Sequence, residues 1–193
     1  MEHLEALEER CLSSSLIYDG RVVQLFVDRV RLPDGTEGVR EYCHHVGAVA
    51  VLPLTDEGEV VCVRQYRYAH RRLMLEIPAG KLNTSEEDPV EAALRELREE
   101  TGARCEKLIS LGVFRATPAV LDERVYLYLA HGLEFGECEL DEDEFLEVER
   151  IPLATLVDMV MKGEIEDGKT QVAILKVWAM LQREEIGKGK REA

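Results

Sequence analysis

Three glutamates, Glu96, Glu99 and Glu100, fall within one turn of each other in the run Arg95-Glu96-Leu97-Arg98-Glu99-Glu100-Thr101-Gly102. Like charges four residues apart destabilise a helix by about 0.2–0.5 kcal/mol, so the crowding calls for something that offsets it. Carboxylate oxygens are the ligands a hard divalent cation takes. Arg67 closes an apolar strand pattern, where its fork could grip a phosphate through two parallel hydrogen bonds. A second acidic run, Asp141-Glu142-Asp143-Glu144, reads by itself as a solvated loop. His44 and His45 are adjacent at a strand end; neighbouring strand residues face opposite sides, so the pair cannot easily share one ion.

The glutamate run needs a helix to carry it, and 88–102 has the start and stop signals of one. Asp88 serves as N-cap, Pro89 occupies the first helical position, and Glu91 stands where a capping box places its acid. Gly102 supplies the left-handed stop. Val90, Ala93, Leu94, Leu97 and Thr101 recur at three and four residues, which predicts one buried stripe with the three glutamates off it. A Gly-containing loop, Pro78-Ala79-Gly80, leads in.

Around this helix the pattern is strand-rich. Residues 1–10 suggest a short helix. Residues 16–32, broken at Asp19-Gly20, read as strand, turn, strand, and 39–45 adds a β segment after the turn Pro33-Asp34-Gly35. The apolar run 46–54 reads as a fully buried strand, turned back at Asp56-Glu57-Gly58 into 60–67 as a hairpin. Strands follow at 74–77, 108–115, 125–130 and 145–150, with helices over 153–161 and about 170–182. The order predicts an α+β fold, with a β-rich element over residues 1–45 and the main domain over 46–193.

The chain of 193 residues, 46% hydrophobic and 33% charged, has the balance of a soluble globular protein. Its net charge of −15 argues against a nucleic-acid polymer or an anionic membrane as partner, since both require basic patches. A small anionic substrate remains compatible if cations offset the local field. Cys11, Cys43, Cys62, Cys105 and Cys138 are odd in number and form no CxxC pair, so they read as buried, reduced thiols. No apolar run reaches spanning length and the acidic start is no signal peptide, which predicts a cytoplasmic protein.

From Gly80 to Ala103 the chain resembles the signature of the Nudix hydrolases, with Arg95 to Ala103 intact. Six residues separate Gly80 from Glu87, one more than in the family pattern. The extra residue is assigned to the Asn83-Thr84-Ser85 loop, which makes Glu87 the first acid of the motif. Flanking segments are similar to the ADP-ribose pyrophosphatase branch: 16–22, Arg40-Glu41, 47–51, Val63-Arg64-Gln65-Tyr66-Arg67, Glu76-Ile77-Pro78-Ala79-Gly80, Pro118 and Gly163-Glu164-Ile165. The resemblance implies a Nudix-type α/β/α sandwich with a mixed sheet, plus an N-terminal antiparallel β element used for dimerisation. It implies Mg2+ or Mn2+ held by Glu96, Glu99, Glu100 and the Ala79 carbonyl, with Glu99 as a further ligand or a supporting acid. Arg95 would orient a motif glutamate, or form a plain ion pair. Glu144 is the implied general base, with Glu142 as runner-up. Arg67 is the implied substrate contact. Arg40 and Glu76 are either further substrate contacts or salt-bridged strand ends, and Tyr18 either stacks on adenine or fills the core. The activity implied is Mg2+-dependent hydrolysis of the pyrophosphate bond of ADP-ribose by a homodimer. The alternatives are a pyrophosphatase for GDP-mannose or another nucleoside diphosphate sugar, and a non-catalytic nucleotide-sugar sensor.

Overall fold

The computed structural model describes residues 5–140 and 145–183. The chain divides into two units, Met1–Val46 with Arg115–Glu123, and Gly47–Phe114 with Arg124–Ala193.

In the first unit a single 3₁₀ turn, Glu5–Leu7, stands where a short helix was expected. β1 (Arg10–Asp19), β2 (Gln24–Arg31) and β3 (Glu37–His44) then form an antiparallel sheet in that order. β1 begins well before Leu16: Ser13-Ser14-Ser15 hides it from a hydrophobicity reading, yet these residues pair with Arg29, Asp28 and Val27. The β2–β3 turn closes through Asp34, whose Oδ1 accepts from the Thr36 N–H at 2.9 Å and its hydroxyl at 2.6 Å. Residues 115–123 join β3, with the Cys43 N–H donating to the Val120 carbonyl at 2.8 Å.

The second unit is built on β4 (Ala48–Pro53). Its neighbours are the short β7 (Ala79–Lys81) on one side and β9 (Val125–Phe135) on the other. β8 (Ala103–Phe114) completes a four-stranded sheet in the order β7-β4-β9-β8. β4 runs parallel to β9 and antiparallel to β7, so the sheet is mixed. A strand between two neighbours and covered on both faces can be apolar throughout. Accordingly Val49 and Val51 face one core cluster while Ala50 and Leu52 face another. β5 (Glu59–Arg67), β6 (Arg72–Glu76) and β10 (Leu146–Pro152) form a second, antiparallel sheet in the order β10-β5-β6.

The hairpin expected from β4 into β5 is corrected here. Only an isolated bridge, Leu54 to Val60, joins them, and the two strands lie in different sheets. Each is apolar on the face it turns to a shared core, with Ala50 and Leu52 meeting Val60 and Cys62, so burial is gained by stacking the strands.

Among the described residues three helices cover the sheets of the second unit. α1 (Pro89–Thr101) packs Ala92, Ala93 and Leu97 on the Val49/Val51 face. α2 (Leu153–Met161) and α3 (Gly168–Gln182) close the other core through Leu153, Leu156, Ile174 and Val177. The fold is α+β, as the pattern predicted. No described helix is long and apolar enough to cross a membrane. All five cysteines are free, but only Cys62 is buried. Cys11 is exposed because β1 is exposed along its whole length, and Cys138 because it follows the end of β9.

Candidate active site

Asp88 and Gly102 act as expected at the ends of α1. Asp88 is extended and its carboxylate accepts from the Val90 N–H at 2.8 Å, while Gly102, at φ 67°, is left-handed and donates to the Arg98 carbonyl. The stripe between them differs from the expectation. Val90 and Leu94 are 43% and 41% exposed, whereas Glu96 and Glu100 are 6% and 2% exposed. Hydrophobicity assigns carboxylates to water; here two of them join Ala93, Leu97 and Thr101 on the buried face and take polar partners there.

Those partners come from β7 and its approach. The Ala79 N–H donates to Glu100 Oε2 at 3.0 Å. Gly80 lies against Glu96 so closely that a Cβ would come 2.0 Å from the Glu96 carboxyl carbon. β7 in turn hangs on β4 through the pairs Ala50–Ala79 and Val49–Gly80. The cradle for Glu96 and Glu100 is thus the edge of the mixed sheet.

Arg95 gathers the remaining acids. Its Nη1 donates to Glu96 at 2.6 Å and Glu99 at 3.0 Å, and Nη2 lies 3.5 Å from Glu87. Burial works against the Arg95 charge, but Glu96 and Glu99 outweigh it and hold the guanidinium protonated. The residue inserted before the helix is taken up in a turn: the Asn83 N–H donates to Glu87 at 2.5 Å and the Glu87 N–H to the Thr84 carbonyl at 3.2 Å. Glu87, not the exposed Glu86, therefore faces Arg95.

Beside Glu100 stands an ionic cluster that sequence reasoning only partly found. Glu76 is 1% exposed and accepts from Arg67 Nε and Nη2 at 2.7 and 2.6 Å, so both tines of the Arg67 fork are used. Lys169 Nζ donates to the same carboxylate at 2.5 Å and to Asp167 at 3.0 Å. Burial pushes the Glu76 carboxyl upward, but Arg67 and Lys169 outweigh it and hold it below the usual carboxylate range. Glu76, Asp167 and Glu100 all raise the Arg67 guanidinium's hold on its proton. Asp167 has a local signal that sequence reasoning missed, an acid just before the last helix, where its Oδ2 accepts from the Thr170 N–H at 2.9 Å, whereas Lys169 has none.

The other candidates fall elsewhere. Arg40 and Tyr18 belong to the first unit. Arg40 pairs with Glu9 and donates to the Val39 carbonyl, and Tyr18 is 61% exposed on β1, not in the core. Glu144 and Glu142 lie outside the described residues. The stem leading to them is bonded to α1, with the Gly136 N–H on the Gly102 carbonyl at 2.8 Å and the Glu139 N–H on the Glu99 carbonyl at 3.0 Å. His44 and His45 reach separate acids, Asp122 at 2.6 Å and Glu123 at 3.2 Å.

Among the described residues no three His, Cys, Asp or Glu side chains are already arranged around one point as a metal centre. The donor set nevertheless suits a hard cation: carboxylates from one helix and a backbone carbonyl at a glycine cradle, all oxygen, with neither thiol nor imidazole.

The chain is similar to several known proteins. An ADP-ribose pyrophosphatase of Bacillus subtilis (strain 168) is 44% identical over 173 residues, 89% of this chain and 93% of that one. A methanol dehydrogenase activator of Bacillus methanolicus is 43% identical over 169 residues, 86% of this chain and 91% of that one. The crystal structure of an ADP compounds hydrolase shares the fold, with a TM-score of 0.80 at 22% identity over 92% of this chain and 96% of that one. Residues 9–42 match the model of the nucleoside diphosphate sugar hydrolase N-terminal domain. The NUDIX domain model matches residues 44–172, which contain α1, its glycine cradle and the Glu76 cluster, and the chain belongs to the Nudix hydrolases.

Proposed function

We propose that this chain hydrolyses the pyrophosphate bond of ADP-ribose, giving AMP and ribose 5-phosphate, with Mg2+ or Mn2+ as cofactor. The observation that carries the proposal is the burial of Glu96 and Glu100 against Ala79 and Gly80, with Arg95 holding Glu96 and Glu99. The 44% identity to an ADP-ribose pyrophosphatase over nearly the whole chain supports the choice of substrate.

Glu96, Glu99, Glu100 and the Ala79 carbonyl would hold the cation. When bound, such a cation neutralises the diphosphate, lowers the pKa of the attacking water and stabilises the leaving oxygen. Arg95 keeps the carboxylates from repelling one another. Arg67, more than a third exposed, presents positive charge beside Glu100 for a substrate phosphate. Glu144 takes the proton of the attacking water as the P–O–P bridge breaks, with Glu142 as its alternate. Arg40 and Tyr18 are assigned to substrate binding, and Glu76 serves it by holding Arg67 in place. The molecule acts as a cytoplasmic homodimer, with residues 1–45 as its dimerisation element and 46–193 as its catalytic domain. The exposed apolar residues of β1, Leu12, Leu16, Ile17 and Tyr18, support that assembly.

The test is purified protein with Mg2+ and a panel of ADP-ribose, GDP-mannose and other nucleoside diphosphate sugars, with products resolved by chromatography. AMP released from ADP-ribose at far higher kcat/KM than from the others is the expected result. Preference for GDP-mannose would move the substrate within the same chemistry. Tight binding without turnover would make the protein a sensor. Hydrolysis in 18O-labelled water assigns the phosphorus attacked.

A further inference from the structure

The stretch from Glu76 to Ala79 is bonded at every residue, and the bonds lead to β4, β5, α1 and α3 of the second unit. The Glu76 carboxylate takes Arg67 from β5 and Lys169 from α3. The Ile77 N–H donates to Thr170 Oγ1 at 3.0 Å. The Pro78 carbonyl accepts from the Val51 N–H of β4 at 2.9 Å. The Ala79 N–H donates to Glu100 Oε2 at 3.0 Å. Residues 76–79 thus form a strap tied at one end to the first turn of α3 and at the other to a carboxylate of α1.

We propose that Thr170 and Lys169 are positioning residues for Glu100: they fix the strap, and the strap's Ala79 N–H fixes the carboxylate. The inference rests on the reading of Glu100 as a ligand of the cation. Neither Thr170 nor Lys169 has to touch the cation or the substrate. Thr170 is 0% exposed and Ile77 0% exposed, so without Oγ1 the Ile77 N–H is a buried donor lacking its acceptor, and the strap must shift to find another. Lys169 satisfies the Glu76 oxygen that Arg67 also uses. Asp167 keeps the two side chains in register, because one of its oxygens holds Lys169 and the other caps the helix at the Thr170 N–H. A carboxylate that has lost the fixed donor behind it binds metal more weakly, and the loss of such supporting partners typically costs about 10–100-fold in affinity.

The experiment measures Mn2+ affinity directly, from the paramagnetic resonance signal of unbound Mn2+, at a temperature well below melting. Wild type, Thr170→Val, Thr170→Ser, Lys169→Met and Glu100→Gln are compared, with circular dichroism recorded on each. Thr170→Val is expected to bind about 10-fold more weakly, and Thr170→Ser, which retains the oxygen, to bind as wild type does. Thr170→Val that melts earlier yet binds Mn2+ like wild type would show a purely structural role and overturn the inference. Should Thr170→Val fail to fold, Lys169→Met carries the same readout in the same directions. Wild-type affinity in Glu100→Gln would instead sink the metal-site reading, and this inference with it.

Discussion

At Gly80 a single methyl group tests the site. An alanine there would drive its Cβ to 2.0 Å from the Glu96 carboxyl carbon, and only displacement of that carboxylate relieves the overlap. Gly80→Ala should therefore lower kcat/KM by at least about 10-fold, the scale on which metal sites respond to lost support. Glu96 can rotate away, so the melting temperature should move little. Steady-state kinetics and a thermal melt on the same preparation check both halves. For the proposed base, a positioned proton acceptor is worth about 10²–10⁴-fold. Glu144→Gln should lower kcat by that factor while Mn2+ binding stays near wild type; near-normal turnover at saturating substrate would remove Glu144 from the mechanism, and Glu142→Gln is the comparison.

Between elements, the ionic cluster joining β5, β6 and α3 has a pH signature. The Glu76 carboxyl is held below its ordinary 4.5 in the folded protein, so the unfolded chain binds that proton at higher pH than the folded one. The stability Glu76 supplies is complete above about pH 4.5 and drains away as pH falls through the lower folded value. Glu76→Gln should cost about 2–3 kcal/mol at pH 7, less than a fully buried pair because Arg67 is more than a third exposed. The gap from wild type should narrow on acidification. Denaturant melts at pH 7 and pH 4 measure it. This cluster also marks how far sequence reasoning reached. Asp88, Pro89 and Gly102 act on atoms two to four residues away, so the ends of α1 were legible. The Ile77–Thr170 and Glu76–Lys169 bonds span 93 residues, and no local pattern announces them. Val90 and Leu94 misled for a related reason: hydrophobic periodicity located a helix face, but the carboxylates needed at the site displaced it. The strands of the second sheet were each visible, while their separation from β4 depended on which faces share a core.

For the whole molecule, the exposed β1 is the feature that an isolated chain does not explain. Ile17 and Tyr18 are 60% and 61% exposed on it, and apolar surface of this kind marks association. Ile17→Asp should shift the proposed dimer toward monomer, read by sedimentation velocity across a dilution series. A wild-type protein that sediments as a monomer at micromolar concentration would remove the dimer from the proposal.

The division of the chain also bears on the order in which it can be completed. The polypeptide passes between the two units at 46–47, at 114–115 and at 123–124. The first unit's third strand receives its partner at Val120 and Leu121, long after that strand has left the ribosome. Through synthesis of the Gly47–Phe114 part of the second unit, the Cys43 edge therefore waits without its protein partner. The N-terminal unit is first in sequence yet is finished only when residues 115–123 have been made, and a protease cut after Val46 would still leave one of its pieces covalently attached to the rest.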